Sequence, residues 1–285
     1  MRRDRFGTGR AAHPVLAGAP HVIGHRGAAG LYPENTLYGF RRAAEEWRVD
    51  MIELDVRASA DGHCVVIHDA TVDRTTDGTG AVAELTLEEL RRLDAGYRFT
   101  PDGGRSYPFR GQGIRIPTIG EVLEALPTMR FVVEVKEGRV QRPLLDALLA
   151  AGATDRVIVA GERHEDRTLL FAEYPGPVSG SVEQLARFSV LTRLRLDWLW
   201  APRIDVASVP EVWKGRRVVT PKLIRDFHRH GIAVQVWTVN EPEDMERLLD
   251  WGVDGIVTDR PDLLREVLLG RAERVRRGAV EGGVG

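Results

Sequence analysis

His21-Val22-Ile23-Gly24-His25-Arg26-Gly27 begins as a short apolar run and ends in a polar turn, and Met51-Ile52-Glu53-Leu54-Asp55-Val56 repeats that form further on. Between them, Thr36 to Trp47 carries Leu37, Phe40, Ala44 and Trp47 at the spacing of a helix with one buried face. Asn35 or Thr36 can cap that helix, and Pro33 keeps the preceding chain from running into it. The stretch reads as strand, loop, helix, strand, the unit from which parallel sheets are wound. Its polar residues sit where the strands end, which is where such folds present side chains to ligands.

Asp61-Gly62 then marks a tight turn, and Val65 to Ile67 returns the chain to the same end of the fold at His68-Asp69. Residues 70–113 are irregular and rich in Gly and polar side chains, with a short helix at Leu85 to Leu93; they read as an insertion mounted over the barrel mouth, a lid or a passive decoration. Alternation resumes beyond it. Strands are expected to begin at His21, Met51, Phe131, Val157, Val178, Trp198, Ala233 and Gly255. Helices are expected over 121–126, 140–151, 165–172, 183–192, 220–230, 242–250 and 261–269. Eight such units predict an α/β fold, a TIM (β/α)8 barrel with a small insertion after the second strand. No G-x-G-x-x-G follows the first strand and there is no P-loop, so the main reason to prefer an open nucleotide-binding sheet is missing.

The expected organisation is a flexible leader over 1–20, a single catalytic barrel over 21–270 with the insertion at about 70–113, and a flexible tail over 271–285. The 285 residues are 43% hydrophobic and 29% charged with a net charge of -2, which lacks the basic excess of a general nucleic-acid binder. No apolar run is long enough to span a bilayer, and Arg2 and Arg3 are not followed by a signal core. Cys64 is the single cysteine, so no intrachain disulfide can form; it reads as core packing, and a cytoplasmic location is expected. Oligomeric state is not legible.

The expected strand ends gather the chemistry. Glu53 and Asp55 are two apart and share one strand face, and so do Glu134 and Lys136. Two acids side by side in a barrel need a cation, water or an altered pKa. Three carboxylates from neighbouring strands form an all-oxygen site for a hard divalent cation, Mg2+ or Ca2+ foremost and Mn2+ also admissible. Zinc has little support, because no Cys/His cluster has ligand spacing. Arg26 offers a planar fork for phosphate oxygens and Lys136 a point charge. His25 and His68 can divide the roles of base and acid that cleavage of a phosphodiester requires.

His25-Arg26-Gly27, Pro33-Glu34-Asn35-Thr36, Glu53-x-Asp55, His68-Asp69, Asp73-Arg74-Thr75-Thr76, Glu134-x-Lys136 and Trp237-Thr238-Val239-Asn240 together resemble the glycerophosphodiester phosphodiesterase family, from about His21 to Pro261. The resemblance implies hydrolysis of a small glycerophosphodiester to sn-glycerol 3-phosphate and an alcohol, either by direct attack of water or through a cyclic phosphate. It implies Glu53, Asp55 and Glu134 as metal ligands, His25 and His68 as the acid/base pair, Arg26 and Lys136 as phosphate contacts, and Trp237 as a wall of the glycerol pocket. Asp259 matches the family's closing motif but is equally explained as a helix cap. One departure stands out: Gly161-Glu162 replaces a Ser-Phe that many relatives carry after the fourth strand.

Three other readings compete. A barrel that abstracts a proton beside a carboxylate would use the same three acids with Lys136 as base. A catalytically silent barrel would bind a phosphorylated ligand or a partner without turnover. A phosphodiesterase of the lysophospholipase D type would act on monoacylated lipids in transient contact with a lipid surface, its acyl chain received by Tyr97, Phe99, Tyr107 and Phe109.

Overall fold

Apolar runs buried at every position, as in His21–Gly24, Val157–Ala160 and Gly255–Thr258, form strands covered on both faces. The structure is a computed structural model that describes residues 13–196, 199 and 204–281. Its strands are β1 (His21–Gly24), β2 (Met51–Ala58), β3 (Cys64–Val66), β4 (Arg130–Val135), β5 (Val157–Ala160), β6 (Val206–Pro210), β7 (Val212–Trp213), β8 (Arg216–Arg217), β9 (Ala233–Trp237) and β10 (Gly255–Thr258). The α-helices are α1 (Leu37–Glu45), α2 (Leu87–Arg92), α3 (Ile119–Ala125), α4 (Gln141–Ala150), α5 (Thr168–Glu173), α6 (Val182–Arg193), α7 (Pro221–Arg229), α8 (Pro242–Trp251) and α9 (Pro261–Glu281).

Seven strands pair in parallel in the order β5-β4-β2-β1-β10-β9-β6. The ring is closed by Val178 and Ser179, which bridge in parallel to Val159 of β5 and Val206 of β6. Ser179 N donates to Val159 O at 2.9 Å and Gly180 N to Val206 O at 2.8 Å. The expected (β/α)8 barrel is therefore present, its fifth strand shortened to two bridging residues. β3 is an antiparallel return on β2, as the Asp61-Gly62 turn requires.

Three expectations are corrected. The sixth strand, expected at Trp198–Ala201, falls outside the described residues except for exposed Leu199, and the place beside β9 belongs to β6. Ser208 and Pro210 interrupt the apolar pattern there, so the more hydrophobic Trp198-Leu199-Trp200 drew the assignment. Within the expected leader, Val15 and Leu16 join Ile23, Met51 and Ile158 in the barrel interior, and Arg130 donates to the carbonyls of Val15 and Ala17. Finally, α9 continues past Arg271 to Glu281. Arg271 pairs with Glu246 and Asp250, and Arg274 with Glu246, so ion pairs to α8 rather than an apolar face hold this end.

Residues 70–113 contribute Val72, Val82, Leu87, Leu90 and Ala95 to a second apolar cluster with Val65 and Ile67, outside the barrel wall. The main core lies between strands and helices, with Phe40, Phe131, Phe188 and Phe227 fully buried.

The backbone around the first strand is tightly constrained. A Cβ on Gly24 would lie 1.8 Å from the Gly27 carbonyl oxygen, a backbone atom that cannot move without displacing His25 and Arg26. Gly24→Ala is therefore expected to cost about 3 kcal/mol, at the upper end of overpacking penalties. Urea unfolding measures it; a variant within a few tenths of wild type would show that this turn is looser than described.

Candidate active site

The parallel register sets Asp55 opposite Glu134, and Glu53 lies two residues before Asp55 on the same face of β2. Glu53, Asp55 and Glu134 each offer an oxygen, all within 4.8 Å of one another. Glu53 and Asp55 are buried at 6% and 1% exposure. Burial and the neighbouring Asp55 charge push the Glu53 pKa up to about 8, and burial raises that of Glu134 as well. Asp55 is driven the other way: burial opposes its charge, but Lys136 and Arg26 overcome that penalty and hold it ionised. Buried oxygen donors this close, two of them destabilised as anions, have the chemistry that a hard cation satisfies, so the residues fit a divalent metal.

Around the acids stand the cations. Lys136 Nζ is 3.0 Å from Asp55 Oδ1 and 2.9 Å from Glu134 Oε1. Arg26 Nε lies 3.2 Å from Asp55 Oδ2, and its Nη1 donates to Glu34 Oε1 at 2.9 Å. Arg26 occupies left-handed backbone space, φ +49°, which turns its N–H onto Glu53 Oε2 at 2.9 Å. Asn35, also left-handed, clamps Asp55 by donating to Oδ2 at 2.9 Å and accepting from the Asp55 N–H at 3.2 Å. The Pro33-Glu34-Asn35-Thr36 loop thus both caps α1 through Thr36 and orients the acids.

Both imidazoles are tethered through Nδ1. His25 Nδ1 is 2.6 Å from Asp259 Oδ1, and its Nε2 lies 3.9 Å from Glu53 Oε2. Burial works against a charged His25, but the Asp259 hydrogen bond and the Glu53 carboxylate outweigh it and raise its pKa. Asp259 is in turn held by Asn240, whose Nδ2 donates to Oδ2 at 2.8 Å. His68 is delivered by β3: Ile67 N donates to Asp55 O at 3.0 Å, and Arg57 Nε donates to the His68 carbonyl at 2.8 Å. His68 Nδ1 is 2.6 Å from Asp69 Oδ1, and Asp69 accepts from Arg74 Nε at 2.6 Å. Arg74, from the insertion, also grips Glu34 with two bonds of 2.7 Å.

His25, Arg26, Glu53, His68, Glu134, Lys136 and Trp237 line one cleft of about 150 Å³ at the C-terminal ends of the strands, with Asp55 in contact with Arg26 and Lys136. The three acids, the two histidines, Arg26, Lys136 and Trp237 all converge here, whereas Tyr97, Phe99, Tyr107 and Phe109 do not line the cleft. What sequence reasoning missed is the support: Asp259 contacts His25 instead of serving only as a cap, and Asn35 and Arg74 hold other site residues. Position at the end of the last strand was the available signal for Asp259. Glu162, at the Gly161-Glu162 departure, and Ser208 complete the far wall.

Carboxylates, paired cations and two tethered imidazoles at the mouth of a closed parallel barrel define a hydrolase of phosphoric diesters. The chain belongs to the glycerophosphoryl diester phosphodiesterase family, whose profile matches residues 25–263. It is 38% identical to a glycerophosphodiester phosphodiesterase of Caldanaerobacter subterraneus subsp. tengcongensis over 85% of this chain and 95% of that one. A solved glycerophosphodiester phosphodiesterase from Agrobacterium tumefaciens superposes with a TM-score of 0.69 at 26% identity, covering 87% and 98% of the two chains. The fold is also that of an Oleispira antarctica phosphodiesterase solved with its product sn-glycerol-3-phosphate, with a TM-score of 0.72, 24% identity, and coverage of 89% and 98%.

The tether on His25 makes a prediction. Asp259→Asn keeps the shape but removes the charge that fixes the imidazole's tautomer, and kcat is expected to fall about 10- to 100-fold with KM little changed. The pH profile of kcat should shift with it. Unchanged kcat and pH profile would show that His25 needs no carboxylate.

Proposed function

We propose that this chain hydrolyses glycerophosphodiesters to sn-glycerol 3-phosphate and an alcohol at a divalent cation held by Glu53, Asp55 and Glu134. The cation, Mg2+ or Ca2+ foremost, would neutralise the acids and stabilise charge on a phosphoryl oxygen. The observation that carries the reading is the pair of imidazoles, each tethered at Nδ1 to a carboxylate and both lining the cleft beside the three acids. With Nδ1 engaged, each ring has Nε2 left for proton transfer. One takes the proton of the attacking oxygen while the other protonates the departing alkoxide, and water's oxygen ends on phosphorus.

Arg26 and Lys136 hold the phosphate by charge. Lys136 Nζ lies between Asp55 and Glu134, whose carboxylates, against the effect of burial, raise its pKa above the ordinary value. Trp237 supplies an apolar wall on the side away from the acids.

Product identity tests the proposal. Glycerophosphocholine with Mg2+ or Ca2+ should yield sn-glycerol 3-phosphate and choline in equal amounts. Glycerol with phosphocholine instead, or no turnover with either metal, would overturn it.

A further inference from the structure

A second hollow of about 170 Å³ adjoins the catalytic cleft: Glu162, Ser208 and Trp237 line both. Beyond these shared residues its walls come from α6, the end of β6, α7 and the β7–β8 hairpin, and they are almost wholly apolar, with Leu185, Val209, Leu223, Phe227 and Trp213 among them. It lies on the β5, β6 and β9 side of the barrel mouth, across from the acids and from Arg26 and Lys136. A phosphate seated on those cations can send one arm of its diester toward this hollow and none of its charge into it.

The hollow does not end blindly. Val182, Ala186 and Val190 on α6 and Leu194 at its C-cap recur every four residues and form one ridge, which begins in the hollow and runs along the helix. Val182, Val190 and Leu194 are 45%, 55% and 62% exposed, and Trp213 on the facing hairpin is 46% exposed. Single exposed apolar residues need no explanation, but a row of them continuous with an apolar hollow does. The aromatics of the insertion offer no comparable surface. Phe109 is packed against both Tyr38 and Phe99 at 5.2 Å, and Arg110 lies over the rings of Tyr97 and Tyr107.

Resting on the phosphodiesterase reading above, we propose that this hollow is a subsite for the acyl chain of a monoacylated glycerophosphodiester, with the α6 ridge guiding the chain out of the cleft. On a lysophosphatidylcholine the bond from phosphorus to the choline oxygen breaks, water's oxygen joins phosphorus, and a proton goes to the choline oxygen. Lysophosphatidic acid and choline result, and the chain stays in the hollow throughout.

The test compares glycerophosphocholine with butanoyl, hexanoyl and octanoyl lysophosphatidylcholine, all below their micelle concentrations and with metal supplied. Each methylene entering the hollow should raise kcat/KM about threefold until it is filled. Ala186→Phe, which fills the hollow, and Leu223→Asp, which makes it polar, should abolish that gain and leave glycerophosphocholine turnover unchanged, which also reports that the variants fold. Glycerophosphocholine turnover with no gain from the chain overturns the subsite and spares the phosphodiesterase reading. A gain that survives both variants places the chain elsewhere and also overturns it. If no substrate is turned over, the phosphodiesterase reading fails and the subsite falls with it.

Discussion

His68→Ala is expected to lower kcat about 10²- to 10⁴-fold, the range that a positioned acid or base contributes. His25→Ala should do the same, and the double variant should lose little more than the worse single one, because proton removal and proton delivery belong to one displacement. Neither imidazole is placed to hold the fold: each lies at the cleft and bonds a carboxylate at its rim. Metal affinity and KM should therefore change much less than kcat. Steady-state kinetics on glycerophosphocholine, with calorimetric titration of Mg2+, separates these quantities. A His68→Ala enzyme with near-normal kcat would remove it from the chemistry and leave its bond to Asp69 a structural one.

Glu134→Ala should abolish metal-dependent turnover as completely as Glu53→Ala. The acids come from two strands, and β4 contributes only Glu134 to the three. Removing it leaves two oxygen donors, both on β2, where a hard cation needs ligands from more than one side. It also removes one of the two carboxylates paired with Lys136 and leaves Asp55 as the other. Metal titration should show the affinity loss directly, and raising the metal concentration should restore part of the activity. An active Glu134→Ala enzyme with unchanged metal affinity would show that the site lies elsewhere.

The sequence made the barrel and the convergence of the site legible for a physical reason. Side-chain alternation along a strand puts Glu53 with Asp55 and Glu134 with Lys136, and strand ends in a parallel barrel meet at one mouth. The sixth strand was not legible, because Val206–Pro210 includes a serine facing the cleft and a proline at its end, which break the apolar signature of a buried strand. The helix expected over 261–269 continues to Glu281, and that extension was missed on the same principle, since an apolar face was the signal sought and charges do the holding. Asp259 and Asn35 were ambiguous because capping and turn formation explain the same residue types; only the 2.6 Å contact to His25 and the two bonds to Asp55 distinguish these roles. The apolar hollow is assembled from residues of several distant segments and has no linear signature.

Chelation with add-back tests whether phosphodiester cleavage depends on a cation held by Glu53, Asp55 and Glu134. Enzyme treated with EDTA and given glycerophosphocholine should release no sn-glycerol 3-phosphate, and Mg2+ or Ca2+ supplied in excess should restore the release. Full release in the presence of chelator would show that cleavage needs no cation at the three acids.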